Sequence, residues 1–426
     1  MSNQVPDGWF LSTIKDTANK KDKYSFTGGP FGSDLKSEDY TLKGVRILQL
    51  QNIGDGFFKD SYKIYTSKAK ADALHSCNIY PGDIILSKMG DPVARAVIVP
   101  DFSERYVMAS DGIRLAVDCA RFSTKFVHDM INAHSFRSQA ELNSSGTTRK
   151  RIGLTQLREL TFACPPLPEQ QKIAAILTSV DDVIEKTQAQ INKLKDLKIG
   201  MMQELLTRGV GVDGKPHTEF KDSPVGRIPK AWDCCLLDKV AKRGSGHTPD
   251  KQKSEYWNDG IKWVSLTDSS KLDKLHLYKT SKEISQLGID NSSATLHPSG
   301  TVVMARDAGI GKSAIIQSPM AVSQHFMAWV CSDKLDNYFL YYLLQYWKPI
   351  FENIAMGSTI KTIGLPFFKK LQIPLPSIDE QKIIAKSLKA VESNIFKLEE
   401  KNTKNQAMKK ALMQDLLTGK VRVNVD

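Results

Sequence analysis

Two glycine-rich segments carry residue types that could approach a phosphate. The first is Thr27-Gly28-Gly29-Pro30-Phe31-Gly32-Ser33, and the second is Gly244-Ser245-Gly246-His247-Thr248-Pro249. Glycine lets backbone N–H groups come close to an anion, and the serine and threonine hydroxyls add donors. Gln51-Asn52 could read adenine through a paired donor and acceptor. Arg149, Lys150, Arg151 and Lys361 stand beside two Gly-Thr/Ser turns, Gly146-Thr147-Thr148 and Gly357-Ser358-Thr359. Cations there would clamp phosphates or, in a groove, read guanine. Lys88, Arg306 and Lys312 add positive charge. The candidate nucleic-acid contacts are therefore Gly29, Phe31, Gly32, Ser33, Gln51, Asn52, Lys88, Arg149, Lys150, Arg151, Ser245, Gly246, His247, Thr248, Arg306, Lys312, Ser358, Thr359 and Lys361. Against each stands a plainer reading, because a glycine loop is most often a turn and a Lys-Arg cluster a solvated face. Trp257 and Trp263, just after the second loop, read as core and not as base-stacking platforms.

Bond-making chemistry is not legible. Gly309-Ile310-Gly311-Lys312-Ser313 looks like the end of a phosphate-binding loop, but Arg306 stands where that motif needs glycine. A β-like run follows where the helix should start. Cys164-Pro165-Pro166-Leu167 lacks the polar first residue and the aromatic of the amino-methyltransferase loop, and no methyl-donor glycine loop precedes it. No carboxylate–carboxylate–lysine nuclease cluster is found. The eight histidines are scattered, with no His-Glu-x-x-His or His-x-His. Six cysteines (77, 119, 164, 234, 235 and 331) form no Cys-x-x-Cys, which reads as reduced thiols in a cytosolic protein and not as a zinc site or disulfide frame. The expectation is a binding protein, not an enzyme, with no metal.

The chain has 426 residues, enough for two to four domains, and its 41% apolar and 25% charged content is ordinary for a globular protein. No apolar run is long enough to span a membrane, and Met1 to Phe10 does not read as a secretory signal. The net charge of +12 favours a polyanionic partner. It is distributed as +4 over residues 1–165, zero over 166–221, +5 over 222–375 and +3 over 376–426, so the two front regions are separately basic. Two basic modules are expected.

The chain also repeats itself. Residues 146–210 match residues 357–421 at a constant offset of 211, with 24 identities in 65 positions. A weaker echo links Pro81-Gly82-Asp83-Ile84-Ile85-Leu86 to Ser299-Gly300-Thr301-Val302-Val303-Met304, so each half has a diverged front and a retained back. In the retained part, apolar residues alternate at intervals of four and three. They are Ile173, Leu177, Val180, Ile184, Ile191 and Leu194, then Met201 and Leu205. The second copy has Ile384, Leu388, Val391, Ile395 and Leu398, then Leu412 and Leu416. This is a heptad seam. Pro168 suits a helix start, Glu169 the positive helix end, and Thr207-Arg208-Gly209 a stop. Some 40 residues at 1.5 Å each give a helix of roughly 60 Å. Asn402 and Asn405 fall on the second seam, either as buried register-setting residues or on a frayed, solvated stretch. Two such helices most simply pair with each other, antiparallel if the halves are related by a pseudo-two-fold.

Each front mixes short β-like runs (45–50, 83–87, 96–99; 301–305, 314–316, 327–330) with helical stretches over 125–142 and 337–354. The fold class expected is two α/β (α+β) globular domains, each followed by a long helix, with the helices paired as an antiparallel coiled coil. The boundaries read as 1–165 and 230–375 for the globular parts and 166–208 and 376–418 for the helices. A loop linker over 209–229 and a tail over 419–426 complete the chain.

In these residues and their order, the chain resembles the specificity (S) subunit of Type I restriction–modification systems. The carrying motifs are Gly29-Pro30-Phe31-Gly32-Ser33-Asp34-Leu35-Lys36, Gln51-Asn52-Ile53-Gly54-Asp55-Gly56, and Gly246-His247-Thr248-Pro249 with Tyr256-Trp257. The two Pro-x-x-x-Glu-Gln helix starts, the segment from Phe220 to Pro229 and Leu416-Leu417-Thr418-Gly419-Lys420-Val421-Arg422 complete the set, which covers essentially the whole chain. Pro376-Ser377-Ile378-Asp379 departs from the Pro-Pro-Leu that the family favours. The resemblance implies two target-recognition domains, each reading half of a bipartite site in double-stranded DNA, and helices that set the spacing. It implies two methyltransferase subunits as partners, which bind S-adenosylmethionine, so that this chain has no cofactor of its own. Two restriction subunits can join them, in a prokaryotic cytoplasm. The competing expectations are a DNA-binding regulator or scaffold without a modification partner, a stand-alone enzyme, and a coiled-coil protein whose basic units bind RNA.

Overall fold

The structure is a computed structural model that describes residues 5–147, 149–357 and 361–425. The chain folds as two compact units, residues 1–188 with 400–426 and residues 189–399. The unit boundaries fall inside the two long helices, Leu167–Thr207 and Ile378–Leu416, so each unit holds part of both.

In the first unit a four-stranded antiparallel sheet has the order Phe26–Gly28, Gly112–Leu115, Ile84–Ser87, Ala96–Ile98. A second sheet has the order Tyr40–Thr41, Ile64–Thr66, Val45–Leu48, Tyr106–Met108, Asn78–Ile79, with one parallel pair, Val45–Leu48 beside Tyr106–Met108. The second unit repeats this plan. Ala241–Ser245, Phe326–Cys331, Val302–Ala305 and Ser313–Ile316 follow the first order, with His276–Leu277 added at one edge. Lys282–Ile284, Trp257–Val264, Met320–Val322 and Leu296–His297 follow the second order, lacking the first edge strand and keeping the parallel pair at its centre. A two-stranded ribbon ties the start of each domain to its end: Phe10–Thr13 with Thr161–Cys164, and Asp233–Leu236 with Gln372–Leu375.

Each of the two helical stretches, 125–142 and 337–354, forms two helices. Thr124–Asn132 and His134–Leu142 break at Ala133, whose backbone is extended, and the Asn132 amide beside the break bonds both the N–H and the carbonyl of Ala96. Asn337–Tyr346 and Lys348–Ile354 break at Trp347, since Pro349 has no N–H to continue the ladder. The preceding helix ends are built as their sequences demand. Ser123 and Asp336 cap them by accepting from the N–H groups of Phe126 and Phe339.

The repeated Glu-Gln at the start of each long helix is explained by burial. Gln170 accepts from the Ser123 N–H at 2.9 Å and donates to the Pro165 carbonyl, while Gln381 accepts from the Asp336 N–H at 2.8 Å and donates to the Pro376 carbonyl. Each glutamine thus locks the domain's own helix to the long helix that follows. Glu169 accepts from the Trp9 indole at 3.1 Å, and Glu380 from the Trp232 indole at 3.0 Å. The remaining partners differ. Glu169 receives a two-pronged Arg422 guanidinium, both contacts at 2.8 Å. Glu380 receives the Val210 and Gly211 N–H groups and the His217 ring.

The first turns of the helices close the globular cores and do not belong to a helix–helix seam alone. Ile173 and Leu177 pack in the first domain's core with Leu416 and Leu417, and Ile384 and Leu388 pack in the second with Met202 and Leu206. Val180, Ile191 and Ile395 are buried, and Ile184, Leu194, Val391 and Leu398 are half-buried. Beyond Lys198 the buried positions are Met202 and Leu206, one residue later than the heptad reading of Met201 and Leu205, because 3.6 residues per turn drifts off a 3.5 repeat. Within each unit the helices run antiparallel. Asp181 meets Lys409 and Gln188 meets Asn402 in the first, and Lys195 meets Glu399 and Lys198 meets Glu392 in the second. Asn402 is buried on this seam, with its Oδ1 unpartnered, so it is not a frayed surface residue. The segment read as a loop linker carries a β-hairpin, Phe220–Ser223 with Gly226–Pro229. Among the described residues no helix is long and apolar enough to cross a membrane.

Candidate nucleic-acid interface

In the first unit three segments converge: the glycine loop, the hairpin loop after Ile84–Ser87, and the turn before the long helix. The Lys88 N–H donates to the Asp111 carbonyl at 2.8 Å, and the Lys88 carbonyl accepts from Ile152 at 2.9 Å. Arg151 bridges to both Met89 and Ser145. The Lys88 ammonium reaches the Ser110 carbonyl at 3.2 Å and lies beside Gly28, where a Cβ would stand 2.7 Å from its Nζ. Burial and the neighbouring Arg151 pull the Lys88 ammonium below its ordinary range. Arg151 is held by Asp111 at 3.0 Å and Lys150 by Glu141 at 3.5 Å, but both, with Arg149, are exposed.

The second unit makes the same frame from different side chains. The Arg306 N–H donates to the His325 carbonyl at 2.9 Å, and the Arg306 carbonyl accepts from Ile363 at 2.9 Å. Thr362 bridges to both Asp307 and Met356. The Arg306 guanidinium bonds the Ile363 carbonyl at 3.0 Å, and His325 pairs with Asp307 at 2.8 Å. Thr248 donates to Gln324 at 2.5 Å, bringing the glycine loop to the same place. Lys361 is exposed beside Thr362. Lys312 reaches back to the Ser269 hydroxyl at 3.2 Å. Ser358 and Thr359 lie outside the described residues.

Several candidates have other duties. Asn52 is fully buried: its Oδ1 accepts from Gln49, and its Nδ2 donates to the Lys59 and Tyr62 carbonyls at 2.9 Å. It has no edge left for a base, whereas the adjacent Gln51 is exposed. Gly29 and Gly246 serve close backbone packing. A Cβ on either would overlap a carbonyl, that of Ala109 or of Val322, and the Gly29 N–H is spent on Gly112. The open parts of the loops are Phe31, 82% exposed, with Gly32 and Ser33 in the first, and Ser245 and His247 in the second. Trp257 and Trp263 meet edge-on at 5.2 Å, and their indoles donate to the Asp250 and His247 carbonyls. They staple the second loop. Gly309 and Gly311 take left-handed turns between two strands, so the sequence around Lys312 is a hairpin and no helix starts there.

Arg95 was missed. It closes its hairpin as Lys312 does: Ser87 N–H to the Arg95 carbonyl, and Ala305 N–H to the Lys312 carbonyl, both at 2.8 Å. Extending the echo from Leu86 and Met304 by one inserted residue would have found it. Among the described residues no cluster of histidine, cysteine and carboxylate side chains could hold a metal. Burial pushes the Cys164 and Cys331 thiols up to about 12, leaving them inert.

The duplicated frame coincides with a duplicated family match. The model of the Type I restriction modification DNA specificity domain matches residues 6–196 and again 229–409. The chain belongs to this family. It is 32% identical over 99% of its length to a Methanocaldococcus jannaschii protein named for the specificity subunit of the type I restriction enzyme MjaX, 95% of which is covered. It is 22% identical to the EcoBI specificity subunit of Escherichia coli over 88% of this chain and 78% of that one. The fold is shared with a chain of a type I restriction–modification system of known structure (TM-score 0.61, 15% identity, 98% and 100% of the two chains). It is shared also with the S subunit from M. genitalium (TM-score 0.59, 13% identity, 97% and 98%). The chain is thus a Type I specificity subunit with two target-recognition domains, a recognition subunit and not a catalyst.

Proposed function

We propose that each target-recognition domain of this specificity subunit binds one half of a bipartite, asymmetric site in double-stranded DNA through the three converging segments. The observation that carries this is the repeated frame. Lys88, Arg95 and Arg151 in one domain, and Arg306, Lys312 and Lys361 in the other, stand on segments joined by equivalent backbone hydrogen bonds. Cations on rigid turns suit phosphate clamping, and exposed Gln51 and His247 suit base edges. The antiparallel helices set the gap between half-sites and dock two methyltransferase subunits, which bind S-adenosylmethionine and methylate adenine. Two restriction subunits join through them in a prokaryotic cytoplasm.

The test is a methylome of cells expressing the neighbouring methyltransferase with and without the chain. A split motif with one fixed gap, methylated only when the chain is present, is expected. No chain-dependent methylation, from partners that are soluble and copurify, would overturn the reading in favour of a DNA-binding regulator or scaffold.

A further inference from the structure

Besides the glutamate at its start, each long helix carries, about three turns further on, a second carboxylate that holds two other elements at once. In the first unit Asp181 accepts from Lys125 through Oδ2 at 2.9 Å and pairs with Lys409 through Oδ1 at 2.5 Å. Lys125 belongs to the recognition domain's helix, where Asp129 also holds it at 2.6 Å, and Lys409 belongs to the other long helix. In the second unit Glu392 accepts from the Tyr342 hydroxyl through Oε2 at 2.7 Å and pairs with Lys198 through Oε1 at 2.7 Å. Tyr342 again lies on the recognition domain's helix, and Lys198 on the other long helix.

Asp181 and Glu392 are 211 residues apart, as are Lys198 and Lys409. The junction is therefore the same in both repeats, with the helices exchanging roles. The recognition-domain arm is not the same residue type. Aligning the Ser123 and Asp336 caps places Lys125 opposite Tyr338 and Asp129 opposite Tyr342. Two fronts with little sequence in common have kept a donor for this carboxylate by different chemistry. A half-buried lysine–carboxylate pair adds little net stability, so stability alone is a weak reason for the junction. What one carboxylate bonded on both oxygens does supply is a fixed rotation of the domain's helix about the helix pair.

The geometry points to Asp181 and Glu392 as positioning residues for target recognition: each fixes the angle at which its domain stands on the two long helices, and so the gap at which its half-site is read. This rests on the specificity reading above. The variants are Tyr342→Phe, which cuts only the arm to the recognition domain, and Lys125→Met, which cuts that arm and also takes the lysine from Asp129, each in the full chain with its methyltransferase. Methylation is scored on duplexes carrying both half-sites at the native gap and at gaps one base pair longer or shorter. Preference for the native gap should fall about tenfold, the share of one charge-assisted hydrogen bond, with the half-site sequences unchanged. Asp181→Glu, which keeps the carboxylate, should keep the preference. An unchanged preference in both arm variants, whatever their melting temperatures, overturns the inference and leaves a structural contact. Failure of the unaltered chain to direct methylation would instead count against the specificity reading itself.

Discussion

The two units share a frame and differ in what completes it. At the start of each long helix a buried glutamate holds a buried tryptophan indole, but the first unit closes the site with Arg422, a long exposed side chain. The second closes it with two backbone N–H groups and His217. At the helix–domain junction the first unit is ionic, through Lys125 and Asp129, and the second is aromatic, through Tyr342. At the inner strand edge Ile79 of the first unit corresponds to His297 of the second, since each follows the same strand pairing. The lesson is that the duplicated frame preserves hydrogen-bonding demands at fixed places and leaves the supplier free. A carboxylate needs donors, and it does not matter whether they come from a guanidinium or a main chain.

The comparison can be broken most severely at the glutamates. Glu380→Ala strands the Trp232 indole and two N–H groups in the interior, and should cost about 3–5 kcal/mol in denaturant unfolding. Glu169→Ala should cost about half as much, because Arg422 can turn to water while only the Trp9 indole is stranded. Equal losses would refute the distinction.

A smaller effect of opposite sign is expected on the seam. Ile191 of the first helix corresponds to Asn402 of the second, whose Oδ1 is buried and unpartnered. Asn402→Ile should raise stability by about 1 kcal/mol, read as a higher melting temperature. A lower one would show that the bond to Gln188 outweighs the desolvation of the amide.

The smallest effect concerns acid. His297 is buried beneath Gly244 with Nε2 unpartnered, and burial, with Lys242 nearby, lowers its pKa from the usual histidine value. The unfolded chain takes up that proton near pH 6.5, before the folded one does. The contribution to stability is therefore complete above about pH 6.5 and is lost as pH falls below it. His297→Ile, the residue of the first unit, should flatten the loss below about pH 6.5, where wild type declines. Unchanged curves would place the acid sensitivity elsewhere.

The sequence by itself determined what depends on short-range pattern and on duplication. The 211-residue offset gave two frames, the heptad spacing gave the two helices to within a residue or two at each end, and the ordered motifs gave the family. Local signals also placed six strands, because each is an apolar run between turn formers. The tertiary structure alone decided which polar residues are spent internally. Gln51 and Asn52 are neighbours of similar type, yet one faces solvent and the other satisfies three backbone groups of its own loop. Nothing local distinguishes them, since the groups Asn52 satisfies are set by how the chain turns back at Lys59 and Tyr62. The roles of Glu169, Gln170, Glu380 and Gln381 were hidden for the same reason, for all four bond residues between 45 and 160 positions away. Hydrophobic period is written along a chain, whereas a hydrogen-bond partner is chosen only once folding has brought distant donors and acceptors together.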